Sequence, residues 1–356
     1  MKLKTYMDFK YGVVDNDVVI YKYTGNREEV SIPDNIDGMP VTVINASLVG
    51  DAGLSSSGTL KSVVVPEGVR EIAIMSFGYS KSLENVTIPA SVTKMDSSVF
   101  VRSMSLKSIN VDDSNPEFSS VDGVLFNKDK TELIYFPRGK SYTTSGDIPE
   151  GRTEILEYTI PDGVASIGYN TFSDCFLKGV TIPDSVTDIG SRAFSGCCYL
   201  KNINLPEGIT VISYDTFKDC ISLTSIIIPK SVMKIDHSAF EGCTALTDIA
   251  IPDSVTEIRF SAFTNCISLA SVNIPNGIKS IESNTFANCV SLECISIPAT
   301  VTEIDLSAFA GCKSLGCINV DESNPVYASV DGSLFQKYGN KLIYRPHALF
   351  LKHLNK

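Results

Sequence analysis

LTSIIIPKSVMKIDHSAFEGC, residues 223–243, decides the fold. Ile226 and Ile228 alternate, and Pro229 follows at once. Period-two alternation ending in proline describes a short strand, because proline has no N–H for a β ladder. Val232, Ile235, Ala239, Phe240 and Cys243 follow. So short a segment cannot bury that many apolar side chains alone. It must stack on copies of itself.

The copies are present. Proline recurs at Pro66, Pro89, Pro161, Pro183, Pro206, Pro229, Pro252, Pro275 and Pro298, stepping by 23 within each run except for a step of 22 from Pro161 to Pro183. Asp112 and Asp321 hold the same slot without the proline. Eleven residues on comes Phe77, Phe100, Phe172, Phe194, Phe217, Phe240, Phe263, Phe286 or Phe309. The unit reads L-x-x-I-x-I-P-x-x-V-x-x-I-x-x-x-A-F-x-x-C. Its I-x-I piece predicts a strand with the isoleucines inward, and equivalent strands predict a parallel sheet along the axis. V-x-x-I predicts a second short strand, and the A-F-x-x-C piece a helical turn or irregular arc. About ten coils at ~4.8 Å would run ~45–50 Å.

Three segments break the period. Residues 1–30 precede the first coil, and Val18-Val19-Ile20 after Asp15-Asn16-Asp17 reads as a hairpin that closes the open end of the core. The first coil, from Ser31, carries two insertions, near Asp37-Gly38 and near Gly53–Gly58. The third break is duplicated. Val111-Asp112-Asp113-Ser114-Asn115-Pro116 recurs as Val320-Asp321-Glu322-Ser323-Asn324-Pro325, and Asp122-Gly123 as Asp331-Gly332. Asp-Gly between apolar alternations signals a two-residue hairpin, so each copy is expected to be a β meander projecting from the coil edge, the second capping the C-terminal end. The expected organisation is a capping hairpin over 1–30, repeats over 31–112, a hairpin insertion over 113–150, repeats over 151–321, and a hairpin module with tail over 322–356.

These residues resemble the BspA-like leucine-rich repeats, also called the Treponema pallidum type. The I-P strand end, the A-F pair, the cysteine, the Asp-Gly module, and the opening Tyr23-Thr24-Gly25 with Ser31-Ile32-Pro33 carry the likeness, over about residues 8–346. It implies a β-rich α/β solenoid, a leucine-rich-repeat superhelix with a parallel concave sheet. It also implies a surface-exposed or secreted adhesin-like protein of host-associated microbes. Met1-Lys2-Leu3-Lys4-Thr5 leads into no apolar h-region, so this segment is not expected to act as a signal peptide. That leaves a cytoplasmic scaffold as the alternative location and role.

Composition narrows the partners. The 356 residues carry a net charge of −11, which argues against nucleic acid and anionic membranes, since phosphate binding needs clustered Lys and Arg. No apolar run approaches the ~18 residues of a membrane span.

Chemistry has little to stand on. Cys175, Cys197, Cys220, Cys243, Cys266, Cys289 and Cys312 sit fourteen after their prolines, with Ser80 and Ser103 in that slot of two early coils. They read as a buried ladder of small side chains rather than disulfides or zinc ligands. Cys294 and Cys317 share a strand column as stacked neighbours on the outer face and are expected to stay unbridged. His237 falls in the arc, while His347 and His353 lie in the tail. No base sits fixed beside a nucleophile, so no catalytic, cofactor or metal site is expected. Asp112-Asp113-Ser114-Asn115 reads as turn chemistry before calcium. Asn45-Ala46-Ser47 and Asn85-Val86-Thr87 are glycosylation sequons only in a eukaryotic secretory setting.

The outward residues of the concave strands are the candidate ligand-binding set: Asn85, Thr87, Ser108, Asn110, Asn202, Asn204, Ser271, Asn273, Ser296 and Asn319. Small polar groups leave an open hydrogen-bonding surface, and solenoids bind along such faces. The expected partner is a protein or glycan. No aromatic ridge is expected, because the aromatics fall in the buried phenylalanine column.

Overall fold

The computed structural model describes residues 3–46, 58–144, 153–346 and 348. The chain divides into two compact units, residues 1–154 with 166–175, and residues 155–165 with 176–356. The insertion near Gly53–Gly58 (all but Gly58), Ser47 of the first sequon, the return through residues 145–152, and His347 and His353 lie outside the described residues.

In the first unit, β1 (Lys4–Tyr6), β2 (Phe9–Val14) and β3 (Asp17–Tyr23) form an antiparallel cap. Asp15 and Asn16 turn β2 into β3 with φ of 52° and 67°, in the left-handed region that short polar side chains tolerate. The chain then alternates between two parallel sheets. β4 (Glu29–Ser31), β7 (Ser62–Val64), β9 (Asn85–Ile88) and β11 (Ser108–Val111) form the expected I-x-I sheet. β6 (Met39–Ile44), β8 (Glu71–Ile72) and β10 (Lys94–Met95) form the V-x-x-I sheet, and β3 extends it. β5 (Asn35–Ile36) folds back on β6 through Asp37 and Gly38, with φ of 55° and 77°. Val63, Val86, Ile109, Ile72, Phe77 and Phe100 face one core, all at most 2% exposed.

The duplicated module does not project. β12 (Phe118–Val121), β13 (Val124–Asn127) and β14 (Glu132–Tyr135) make the expected meander, but it takes the place of a coil. β14 pairs in parallel with Ser166–Ile167, as a V-x-x-I strand would. Tyr135 enters the phenylalanine column, 5.3 Å from Phe100, and its hydroxyl donates to Phe100 O at 2.9 Å. The Asp122-Gly123 turn lies along the free edge of β11, where Ile109 N–H donates to Gly123 O at 2.9 Å. The reason is apolar area. Leu125, Phe126 and Leu133 are at most 1% exposed, and a projecting ribbon would leave them in water.

In the second unit, Phe194, Phe217, Phe240, Phe263 and Phe286 stack ring on ring at 5.4–5.6 Å, with interplanar angles of 3–12°. Phe309 continues the stack at 6.4 Å, and Tyr344 of the second module closes it at 5.7 Å. The arcs are irregular rather than helical, except for one 3-10 turn at Leu306–Phe309. Asp215, Asp219, Ser261, Asn265, Asn284 and Asn288 all have φ between 55° and 62°, and such residues, recurring in each arc, break helical geometry.

The concave sheet of this unit comes in pieces: Glu157–Thr159 with Gly179–Thr181 and Asn202–Ile203, then Asp248–Ile249 with Ser271–Val272, then Cys294–Ile297 with Cys317–Val320. Between the first two, Asn204 and Ile227 form an isolated bridge. Side chains supply the missing ladder bonds. Asn273 donates from Nδ2 to Ile251 O at 2.7 Å and accepts from Ile251 N at 2.9 Å.

Candidate ligand-binding site

The strand residues named from the sequence do face outward, but the two units hold them separately. Asn85, Thr87, Ser108 and Asn110 belong to the first unit, with Asn85 opposite Ser108 and Thr87 opposite Asn110. Thr87 and Asn110 are exposed, whereas Asn85 is half-buried and Ser108 is half-buried against Gly123. Asn202, Asn204, Ser271, Asn273, Ser296 and Asn319 belong to the second unit and are exposed. Among them, Asn273 is engaged with the main chain of Ile251. Asn319 donates to Cys294 Sγ at 3.2 Å.

Two shallow depressions lie on this face of the second unit. One, of about 400 Å³, is lined by Glu157, Thr181, Asn202, Asn204, Ser225 and Ile227. The other, of about 340 Å³, is lined by Asn276, Ser296, Pro298, Asn319 and Asp321. Ile227 is 83% exposed between polar neighbours. Sequence reasoning passed over it, although the middle position of Ile226-Ile227-Ile228 is apolar where most coils carry Asn, Ser or Thr, the exceptions being Val64 and Ala250.

Cys294 and Cys317 are joined by a disulfide, with Cα atoms 4.8 Å apart, where unbridged neighbours were expected. They sit opposite each other in register on the half-buried outer face of the strands, within bridging distance. The ladder cysteines behave otherwise. Cys220, Cys243, Cys266, Cys289 and Cys312 each donate to the carbonyl of the phenylalanine one coil back at 3.1–3.2 Å. Burial raises their pKa values, that of Cys312 to about 11.

The Asp-Ser-Asn clusters fold their own turns. Asp112 accepts from the Ser114 hydroxyl and amide, and these bonds, the hydroxyl's first, lower its pKa. Asp321 and Ser323 repeat the arrangement. Asn115 is fully buried: its Nδ2 donates to Pro89 O and Val92 O, while Oδ1 accepts from Glu117 N and Phe118 N, at 2.8–2.9 Å. Among the described residues, no group of three His, Cys, Asp or Glu side chains could hold a metal ion, and no helix is long and apolar enough to cross a membrane.

Not all aromatics belong to the buried column. Eight residues after the prolines, Tyr214, His237 and Phe260 form an outer file, with Tyr214 38% and Phe260 42% exposed. The ring centroids of His237 and Phe260 are 4.0 Å apart, and the Arg192 guanidinium lies 5.3 Å over Tyr214. The eight-residue offset was readable in the sequence, but the file is short, with serine in the slot on either side at Ser191 and Ser283.

The chain is similar to several solved structures. One is a leucine rich cell surface protein from Faecalibacterium prausnitzii A2-165, 25% identical, covering 91% of this chain and 96% of that one with a TM-score of 0.48. The pneumococcal vaccine antigen PcpA is 19% identical over 91% of this chain and 94% of its own, with a TM-score of 0.49. The T. pallidum leucine rich repeat protein is 21% identical over 88% and 91%, with a TM-score of 0.40. No curated protein matches the chain. The family model described as the BspA type leucine rich repeat region matches residues 47–175, 151–258 and 234–340. With its columns now seen stacked in both units, the chain belongs to the BspA-type leucine-rich-repeat family.

Proposed function

We propose that the chain is a non-enzymatic binding protein that engages a protein or glycan ligand through the concave strand face, as an adhesin-like module at the cell surface. The observation that carries this reading is the depression around Asn202, Asn204 and Ile227. An exposed apolar side chain set among hydrogen-bonding groups is the anatomy of an interface anchor. The repeat family itself supports an interaction module, because stacked coils present an extended surface and vary it residue by residue. The Cys294–Cys317 bridge favours an oxidising compartment over the cytoplasmic scaffold reading, since disulfides are rare in proteins of the reducing cytosol.

The test is a binding screen of the purified chain against extracellular-matrix proteins and a glycan array, followed by two variants. Ile227→Asp and Asn204→Arg are expected to weaken the recovered interaction at least tenfold with an unchanged melting temperature. Binding that survives both variants removes this face from the reading.

A further inference from the structure

The two sheets of the first unit end differently. The N-terminal cap continues the V-x-x-I sheet, because β3 pairs with β6. The I-x-I sheet receives no such cover. Its path runs β11-β9-β7-β4, and among the described strands β4 pairs with β7 alone.

The phase of that pairing fixes which main-chain groups remain. Ser62 N–H donates to Glu28 O at 2.9 Å, and Ile32 N–H to Val64 O at 3.0 Å. In a parallel ladder a residue sends its N–H and C=O to the same side, alternating along the strand. Glu28 O, Val30 and Ile32 N therefore face β7. The N–H and C=O of Glu29 and of Ser31 face away from it, two donor–acceptor pairs about 7 Å apart.

They face a built groove. A cavity of about 650 Å³ lies along this edge, between β4 and the β1–β2 turn. Met7, Phe9, Tyr23, Val30 and Val64 supply apolar wall, and Arg27 stands among them. Met7 is 77% and Val64 41% exposed. The wall is strapped in place: Thr24 N–H donates to Asp8 O at 2.7 Å, and Arg27 N–H to the Tyr23 hydroxyl at 3.2 Å.

We infer that this groove binds an extended peptide segment of a partner protein, which adds as a further strand on the open edge of β4. Paired main-chain donors and acceptors at strand spacing match another extended main chain, and a sugar ring has no such repeat. Alternate side chains of the added strand then meet Val64 and Met7, so the segment carries at least one apolar residue. Edge strands that proteins do not use are blunted by short length, charge, proline, bulges or a covering element. β4 is short, at three residues, and carries Glu29, but Pro33 comes only after it and no described strand covers its outer edge. This site is separate from the concave depression of the second unit and stands whether or not that reading holds.

The experiment selects from a displayed library of random linear twelve-residue peptides against the whole chain. The enriched peptides are then synthesised with and without N-methylation of alternate amides. Enriched peptides are expected to slow amide exchange at Glu29 and Ser31. N-methylation in one of the two alternating registers is expected to weaken binding at least tenfold while the other register is tolerated. Ser31→Pro removes one outward N–H without touching the bonds to β7 and is expected to have the same effect. Val64→Glu serves as the second variant should Ser31→Pro fail to fold, and is expected to abolish apolar-containing binders. The inference is overturned if no peptide is enriched. It is equally overturned if binding tolerates N-methylation in both registers, or if protection appears elsewhere and not at β4.

Discussion

Cys243 donates its thiol to Phe217 O one coil back, at 3.1 Å, and the same bond recurs from coil to coil. The slot selects a donor and not merely a small side chain. In that slot Ser103 gives its hydroxyl to Phe77 O, and where the module replaces the coil the column residues Tyr135 and Tyr344 serve Phe100 O and Phe309 O instead. Leaving a buried carbonyl without its partner costs about 1–3 kcal/mol. Cys243→Ala is therefore expected to lose about that much in urea denaturation at pH 7.5, and Cys243→Ser less, because serine restores a donor. Alkali adds a second reading. Burial, the largest cause, raises the Cys243 pKa above its usual 9.0, so the folded state holds the proton more tightly than the unfolded chain. That stability is complete below pH 9 and is lost as pH climbs towards the folded value, by about 1.4 kcal/mol per pH unit for each such thiol. Each thiol replaced by serine should flatten the fall between pH 9 and pH 10.5 by one such share.

At the scale of the element, the duplicated module hangs on one asparagine. Asn115 ties the start of the meander to Pro89 O and Val92 O, and Asn324 ties its copy to Pro298 O and Val301 O. Asn115→Ala should destabilise the first unit by about 1–3 kcal/mol, measured by chemical denaturation, whereas the exposed neighbour Asp113→Ala should change little. The module also marks where sequence reading reached its limit. Asp122-Gly123 specifies a hairpin locally, and the hairpin is there. No local signal says that the ribbon lies back along β11 and puts Tyr135 into the phenylalanine column, because that choice is made by apolar area buried over a long chain separation. The same divide explains the cysteines. The 23-residue register makes Cys294 and Cys317 neighbours at sight. Whether neighbours bridge depends on what else each thiol meets, and the ladder thiols Cys220 to Cys312 each meet a carbonyl. Asn273 is a third case, since its outward slot was legible and its engagement with Ile251 was not.

The periodic columns of the whole chain were legible because each coil solves the same burial problem, and a residue repeated in phase nine times reports its own environment. The faces between columns carry no such repetition, so Ile227 was easily passed over and the groove beside β4 is seen only in the folded chain. Stacking also decides how damage spreads. Each coil of a solenoid touches chiefly its neighbours, so stability is a sum of coil and interface contributions, and loss is felt near its source. Phe240 lies inside the second unit's stack, with rings 5.5 and 5.4 Å on either side. Phe240→Ala removes two ring contacts and leaves a cavity, at a cost of about 3–5 kcal/mol. Among the described rings Tyr344 meets one, that of Phe309 at the end of the stack, and it is itself partly exposed. Tyr344→Ala should therefore cost less and act at one end. Hydrogen exchange read by mass spectrometry separates the two. Phe240→Ala is expected to speed exchange in the coils of Phe217 and Phe263 alike, and Tyr344→Ala only in those of Phe286 and Phe309. Uniform acceleration through the second unit in both variants would mean that the unit unfolds as one cooperative block, and nearest-neighbour accounting would then have to be given up for it.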